Sequence, residues 1–189
     1  MKKIIGVFLC MLMTFSLISC GNGSSSSDKF ETKADSLSIE PGTTKLQGLI
    51  DNGFTYKWSE TFEPITELKG KEFITTSIDI IKDDEKYASI GLINKTGGSL
   101  KLEECIVGDV LIYPHYNAKG YHQFSEITVN GENVVGLKYG DIKGTFKDKP
   151  ISEAETYLVF NNGEHSYDFE FDDQKTLKSI TFDINEHNM

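Results

Sequence analysis

The sequence predicts an α+β fold built of one or two units, each a short helix followed by a three-stranded antiparallel meander. Two places carry apolar residues at helical spacing, Leu46, Leu49 and Ile50 first and then Ile142 and Phe146. Between and after them the pattern changes to strict alternation, clearest in "SYDFEF", where Tyr167, Phe169 and Phe171 face one way and Asp168 and Glu170 the other. Such alternation means one face buried and one wet, the usual state of an antiparallel sheet backed on one side.

The first helix starts at Thr43 or Thr44, either of which can cap it, and Asp51-Asn52-Gly53 stops it. An aromatic loop with Phe54, Tyr56, Trp58 and Phe62 follows. Strands are then expected in "EFITTSIDII", with Thr76, Ile78 and Ile80 on one face, and in "KYASIGLIN" after a turn at Asp83-Asp84. The turn "KTGG" at 95–98 leads into "SLKLEECIVGDVLIY", with Leu100 and Leu102, then Val110 and Ile112 after a bulge at Gly108. The last third repeats the plan. A helix in "YGDIKGTFKD" is weakened by Gly140 and Gly144, each costing up to about 1 kcal/mol. "TYLVF", a turn at Asn161-Asn162-Gly163, "SYDFEF", a turn at 172–175 and "SITFDI" complete it. The expected units span 43–124 and 125–189; a single continuous α+β sheet without internal symmetry is the competing reading.

The N-terminus has the layout of a secretory signal: Lys2 and Lys3, an apolar run over 4–18, then small residues before Cys20. That run is shorter than the roughly 20 residues a spanning helix needs. Leu17-Ile18-Ser19-Cys20 resembles the lipobox of bacterial lipoproteins. The resemblance implies a signal peptide over 1–19, a diacylglyceryl group on the Cys20 thiol and often a further acyl chain on the new amino terminus. Two or more chains hold a protein durably on a bilayer, each buried methylene contributing about 0.8 kcal/mol. Residues 20–42, with four serines in a row at 24–27, read as a lipidated cysteine and flexible tether of about 25 Å root-mean-square span.

Removing the first 19 of 189 residues leaves 170, enough for one ordinary domain or two small ones. Cys10 leaves with the signal and Cys20 is taken by lipid, so Cys105 has no mate for an internal disulfide. Without Lys2 and Lys3, 17 lysines face 29 acidic residues, a formal charge of −12, and the chain contains no arginine. That balance repels phosphate backbones and excludes nucleic-acid binding; bidentate arginine clamps are absent too.

"GLKYGDIKGTFKDKP", with Gly136-Leu137 followed by Ile142, Phe146 and Pro150, resembles the helix start of small SmpA/OmlA-type lipoproteins and of the β-lactamase-inhibitor-like fold. There a short helical segment precedes three antiparallel strands. Lys138 and Lys147 stand where those families carry a capping Ser or Thr and a helix-ending glycine. The resemblance spans about 50 residues and implies a fold used for protein contacts, with no catalytic residues to carry over.

The chain lacks GxSxG, HExxH, Walker, CxxC and EF-hand patterns. Cys105 with His115 or His122, oriented by Asp109, is a candidate thiol constellation. Glu103 and Glu104 oppose it by suppressing the thiolate, which favours a structural cysteine. His115 and His122 in "YPHYNAKGYHQF" are candidate metal ligands at a spacing that matches no defined motif. Tyr56, Trp58, Tyr116 and Tyr121 could form a stacking platform for a sugar. Asp83-Asp84 and Asp172-Asp173 fit solvated turns better than calcium sites.

The expectation is therefore an extracytoplasmic lipoprotein anchored through Cys20 in a membrane of a bacterial cell envelope. It is expected to be non-enzymatic, without cofactor or metal, displaying an acidic surface to a protein partner. The alternative is a small-ligand or glycan-binding lipoprotein using Trp58 and Tyr116.

Overall fold

The computed structural model describes residues 32–115, 119–129, 131–146, 150–161 and 165–184. The described chain begins with β1 (Thr32–Ala34) and β2 (Leu37–Ile39), then helix α1 (Leu46–Asp51) and β3 (Thr55–Trp58). Next come β4 (Glu67–Leu68), β5 (Phe73–Lys82), β6 (Glu85–Ile93), β7 (Leu100–Lys101), a single 3-10 turn (Leu102–Glu104) and β8 (Ile106–Ile112). β9 (Ile127–Val129) and β10 (Glu132–Asn133) precede helix α2 (Tyr139–Thr145). β11 (Ser152–Ala154), β12 (Tyr157–Asn161), β13 (His165–Phe171) and β14 (Leu177–Ile184) follow.

Alternation in the long strands produces one dominant antiparallel sheet, in the order β11-β12-β13-β14-β8-β6-β5-β3. From either edge the strands run inward in chain order. The two halves meet where β8 pairs with β14, Val110 opposite Phe182 and Ile112 opposite Ile180. Those four side chains are fully buried on one face. Each apolar side chain so buried contributes about 1.5–3 kcal/mol. A smaller sheet, β10-β9-β1-β2, adds Ala34, Leu37, Ile39, Ile127 and Val129 to the same core. α1 contributes Leu46 and Leu49, and α2 contributes Ile142. Phe146, just past α2, lies with its ring 5.0 Å from Phe160 and 5.4 Å from Phe169.

The expected α+β class is corrected by this architecture. Strands dominate, and the two helices have only six and seven residues. α1 runs out at Gly53, whose φ of +85° continues no right-handed helix. Each meander has four strands rather than three, because β3 and β11 form the edges. Neither was legible: "TYKW" is short and half exposed, and "SEA" is exposed throughout. An edge strand has one neighbour and needs little apolar surface.

The described part of the expected tether over 20–42 contains strands. Residues 32–39 form β1 and β2 around a turn in which Asp35 takes a φ of +49°. "TKADSLSI" alternates, with Thr32, Ala34, Leu37 and Ile39 buried, but small and hydroxyl residues hide the pattern. β9 and β10 join this hairpin, since β1 pairs with both β2 and β9. The expected units 43–124 and 125–189 therefore share a sheet at β8 and β14, and the second also lends strands to β1.

The bulge expected at Gly108 is present. Leu92 pairs with Val107 but Ile90 pairs with Val110, so Gly108 and Asp109 together face Gly91. On the other side, Ile74 pairs with Leu92 and Ile78 with Ile90, so residues 75–77 also crowd against Gly91. A Cβ at Gly91 would lie 2.0 Å from Asp109 Oδ2 and 2.4 Å from the Ile74 carbonyl oxygen. Glycine is required there because the neighbouring strands bulge into the space a side chain would fill.

Candidate functional site

Of the four aromatic candidates, Tyr56, Trp58 and Tyr121 lie among the described residues, and these three do not form one platform. Tyr56 and Trp58 pair with Ile80 and Ile78, so their side chains share the core face of the large sheet and pack against the core. The Tyr56 hydroxyl donates to Glu103 Oε1 at 2.9 Å. Burial, then that carboxylate, holds the phenol above its ordinary pKa. Tyr121 lies under the Lys86 ammonium, 5.3 Å from ring centre to Nζ, and meets Tyr113 edge-on at 6.2 Å. Lys86 in turn reaches Asp79 on the face away from the core. Tyr116 and Cys20 lie outside the described residues.

Nor does the thiol constellation form. Cys105 is buried, and its Sγ donates to the Lys101 carbonyl at 3.4 Å. Burial, then Glu104 and Glu103, pushes the thiol up, away from the reactive thiolate. His122 is engaged elsewhere: Nδ1 is 2.7 Å from Glu85 Oε2 and Nε2 is 2.8 Å from Asp35 Oδ2. Two ionised carboxylates can only accept, so a complete bridge needs both ring nitrogens to donate. The imidazole also stacks on Tyr87 with centroids 3.9 Å apart and planes at 10°. Asp35 accepts further bonds from the Ser125 hydroxyl and from the Ser125 and Glu126 backbone N–H groups. These bonds outweigh the cost of burial and hold Asp35 below its usual carboxylate range. The cluster ties the β1–β2 turn to the β5–β6 hairpin and the approach to β9. His122→Ala is expected to destabilise the fold by about 1–3 kcal/mol, read as a lower urea midpoint with an unchanged slope. A midpoint equal to that of the parent would show the bridge to be unimportant.

No group of three His, Cys, Asp or Glu side chains placed to hold a metal ion occurs among the described residues.

The surface left over is the other face of the large sheet. One row of cross-strand partners on it reads Val159, Asp168, Thr181, Leu111, Ser89 and Asp79. In the next row Ser166 is opposite Asp183, and Asp183 is opposite Asp109. Asp168 and Glu170 are exposed, while Val159, Thr181, Leu111 and Asp183 are half-buried, so this part of the face is open to solvent. Two carboxylates are matched: Lys86 Nζ is 2.7 Å from Asp79 Oδ1, and Lys178 Nζ is 2.7 Å from Glu170 Oε1. The bond from Lys178 holds Glu170 below its usual range. Asp168 has no ion pair among the described residues. Burial, then the Asp183 charge, pushes the Asp109 carboxyl up to about 7, against opposing hydrogen bonds from the Thr76 and Gly91 backbone.

Sequence alternation had already put Asp168 and Glu170 on a wet face. Asp183 was missed because its partner lies on a distant strand, and Asp109 was read only as an orienting group for a histidine. No protein-family model matches the chain, and no curated protein and no solved structure matches it. Among the described residues no helix is long and apolar enough to cross a membrane.

Proposed function

We propose that this protein is a lipid-anchored, extracytoplasmic and non-enzymatic interaction module of a bacterial cell envelope, held through Cys20, which presents the open face of its large sheet to a positively charged protein partner. The observation that carries the reading is the set of carboxylates in two adjacent cross-strand rows, Asp168 on β13 beside Asp183 on β14 and Asp109 on β8, with apolar Leu111 and Val159 among them and Asp168 without an ion pair among the described residues. A lysine-rich partner surface would supply the missing charge and cover the apolar residues; such complementarity governs specificity and encounter rate. The lipobox resemblance supplies the anchor. The glycan alternative gains no support from Tyr56 and Trp58, which face the core.

Two measurements test the reading. Labelling with a radioactive fatty acid should mark the parent and not Cys20→Ala, which should also leave the membrane fraction; label retained by the variant would refute the anchor. A photo-crosslinker at position 181, on the open face, should capture a protein in cells, and Asp168→Lys should abolish that capture. The same crosslinker at position 38, in the smaller sheet, should capture none. Equal capture from both positions, or capture indifferent to the charge reversal, would refute the docking face.

A further inference from the structure

We infer that the junction of β8 with β14 is a proton-dependent joint: a proton on the Asp109 carboxyl lets the two halves of the large sheet stay closed, and its loss strains their pairing. Geometry carries the inference. Asp183 is the direct cross-strand partner of Asp109, at the place where the halves of the sheet meet. Partners of this kind have Cβ atoms about 5 Å apart. Asp109 is also confined, because its carboxyl fills the space above Gly91, with the Ile74 carbonyl oxygen bordering the same space. Its Oδ1 is buried without a hydrogen-bond partner. The carboxyl has the backbone N–H groups of Thr76 and Gly91 to compensate a charge.

The groups facing it offer little more. β14 contributes Asp183, and β13 beyond it contributes Ser166 and Asp168. β6 contributes Ser89 and Gly91, and β5 contributes Asp79, whose charge Lys86 already meets at 2.7 Å. Lys178, further along β14, is held by Glu170. An ionised Asp109 therefore adds a second negative charge to a confined place.

Burial and Asp183 together raise the carboxyl from 3.8 to about 7. Between those values the folded protein holds a proton that the unfolded chain has released. Stability from this group is thus full below about pH 4, declines as the pH rises toward about 7, and is level above that. Asp35 and Glu170, held low, act in the opposite direction and lose their contribution as the pH falls through the acid range. The joint does not depend on the docking reading, since it acts within the chain alone.

Urea unfolding of the full chain between pH 5 and pH 8 tests it. The unfolding constant of the parent should rise by about 100-fold more than that of Asp109→Asn over this interval. Asp183→Asn keeps Asp109 but removes the opposing charge, and should shrink that rise. A carbon-13 carboxyl titration of the parent should place Asp109 near neutrality, and serves also if Asp109→Asn does not fold. Parallel pH profiles for the parent and Asp109→Asn, no effect of Asp183→Asn, or an Asp109 midpoint below pH 5 would overturn the inference.

Discussion

Gly91→Ala is expected to destabilise the protein by about 3 kcal/mol or more, at the upper end of what overpacking costs. The added methyl would lie 2.0 Å from Asp109 Oδ2, 2.7 Å from Asp109 Cγ and 2.4 Å from the Ile74 carbonyl oxygen. A carboxylate can rotate, but the Ile74 main-chain carbonyl, near the start of β5, cannot move without disturbing the pairing of Ile74 with Leu92 on β6. The effect should therefore divide in two. Combining Gly91→Ala with Asp109→Ala should recover the part due to the carboxyl and leave the part due to Ile74. Urea midpoints of the four proteins in this cycle measure both parts. A loss below about 1 kcal/mol for Gly91→Ala alone would mean that the bulges relax freely.

Asn94→Ala should cost about 2–4 kcal/mol, because it removes four hydrogen bonds at once from a fully buried amide, one of them to the buried Leu68 carbonyl. Asn94 is fully buried at the end of β6. Its Nδ2 donates to the carbonyls of Leu68 at 2.8 Å and Gly98 at 2.7 Å. Its Oδ1 accepts from the Thr96 backbone N–H at 2.9 Å and the Thr96 hydroxyl at 2.7 Å. One amide thus fastens β4 and the 95–98 turn to the large sheet. Asn94→Asp keeps the shape but aims a carboxylate at two carbonyls, and should be at least as harmful at neutral pH. Hydrogen exchange should show the loss first in β4 and β7. Unchanged protection there, with a midpoint like that of the parent, would contradict the assignment.

The long strands were legible because Ile78 and Ile80, Val110 and Ile112, and Phe169 and Phe171 alternate against polar neighbours. Strand alternation is a local property that a sequence displays directly. Gly108 was legible as a bulge for the same reason: it interrupts an otherwise regular run. The helix signals at Leu46 and Ile142 were real but short, and two such turns do not make an α+β fold. Edge strands and the β1–β2 hairpin escaped because Ser152, Lys57 and Lys33 need no burial. Least legible were the long-range pairings. That Asp109 would meet Asp183, or that His122 would lie between Asp35 and Glu85, follows from register between distant strands, and no local pattern encodes it. The core-facing placement of Tyr56 and Trp58 was hidden on the same ground, since they belong to an edge strand that the loop reading did not foresee.

The position of β1 within its sheet bears on how the molecule carries load. With Cys20 in a bilayer as proposed, twelve residues of chain lead from the anchor to Thr32, a reach of about 40 Å at full extension. Tension applied through such an anchor would enter the described chain at β1. β1 is flanked by β2 on one side and β9 on the other, so both ladders would have to slide together before the strand is drawn out. Force arriving through such an anchor would thus meet an interior strand held on both sides, and not an edge strand with one neighbour.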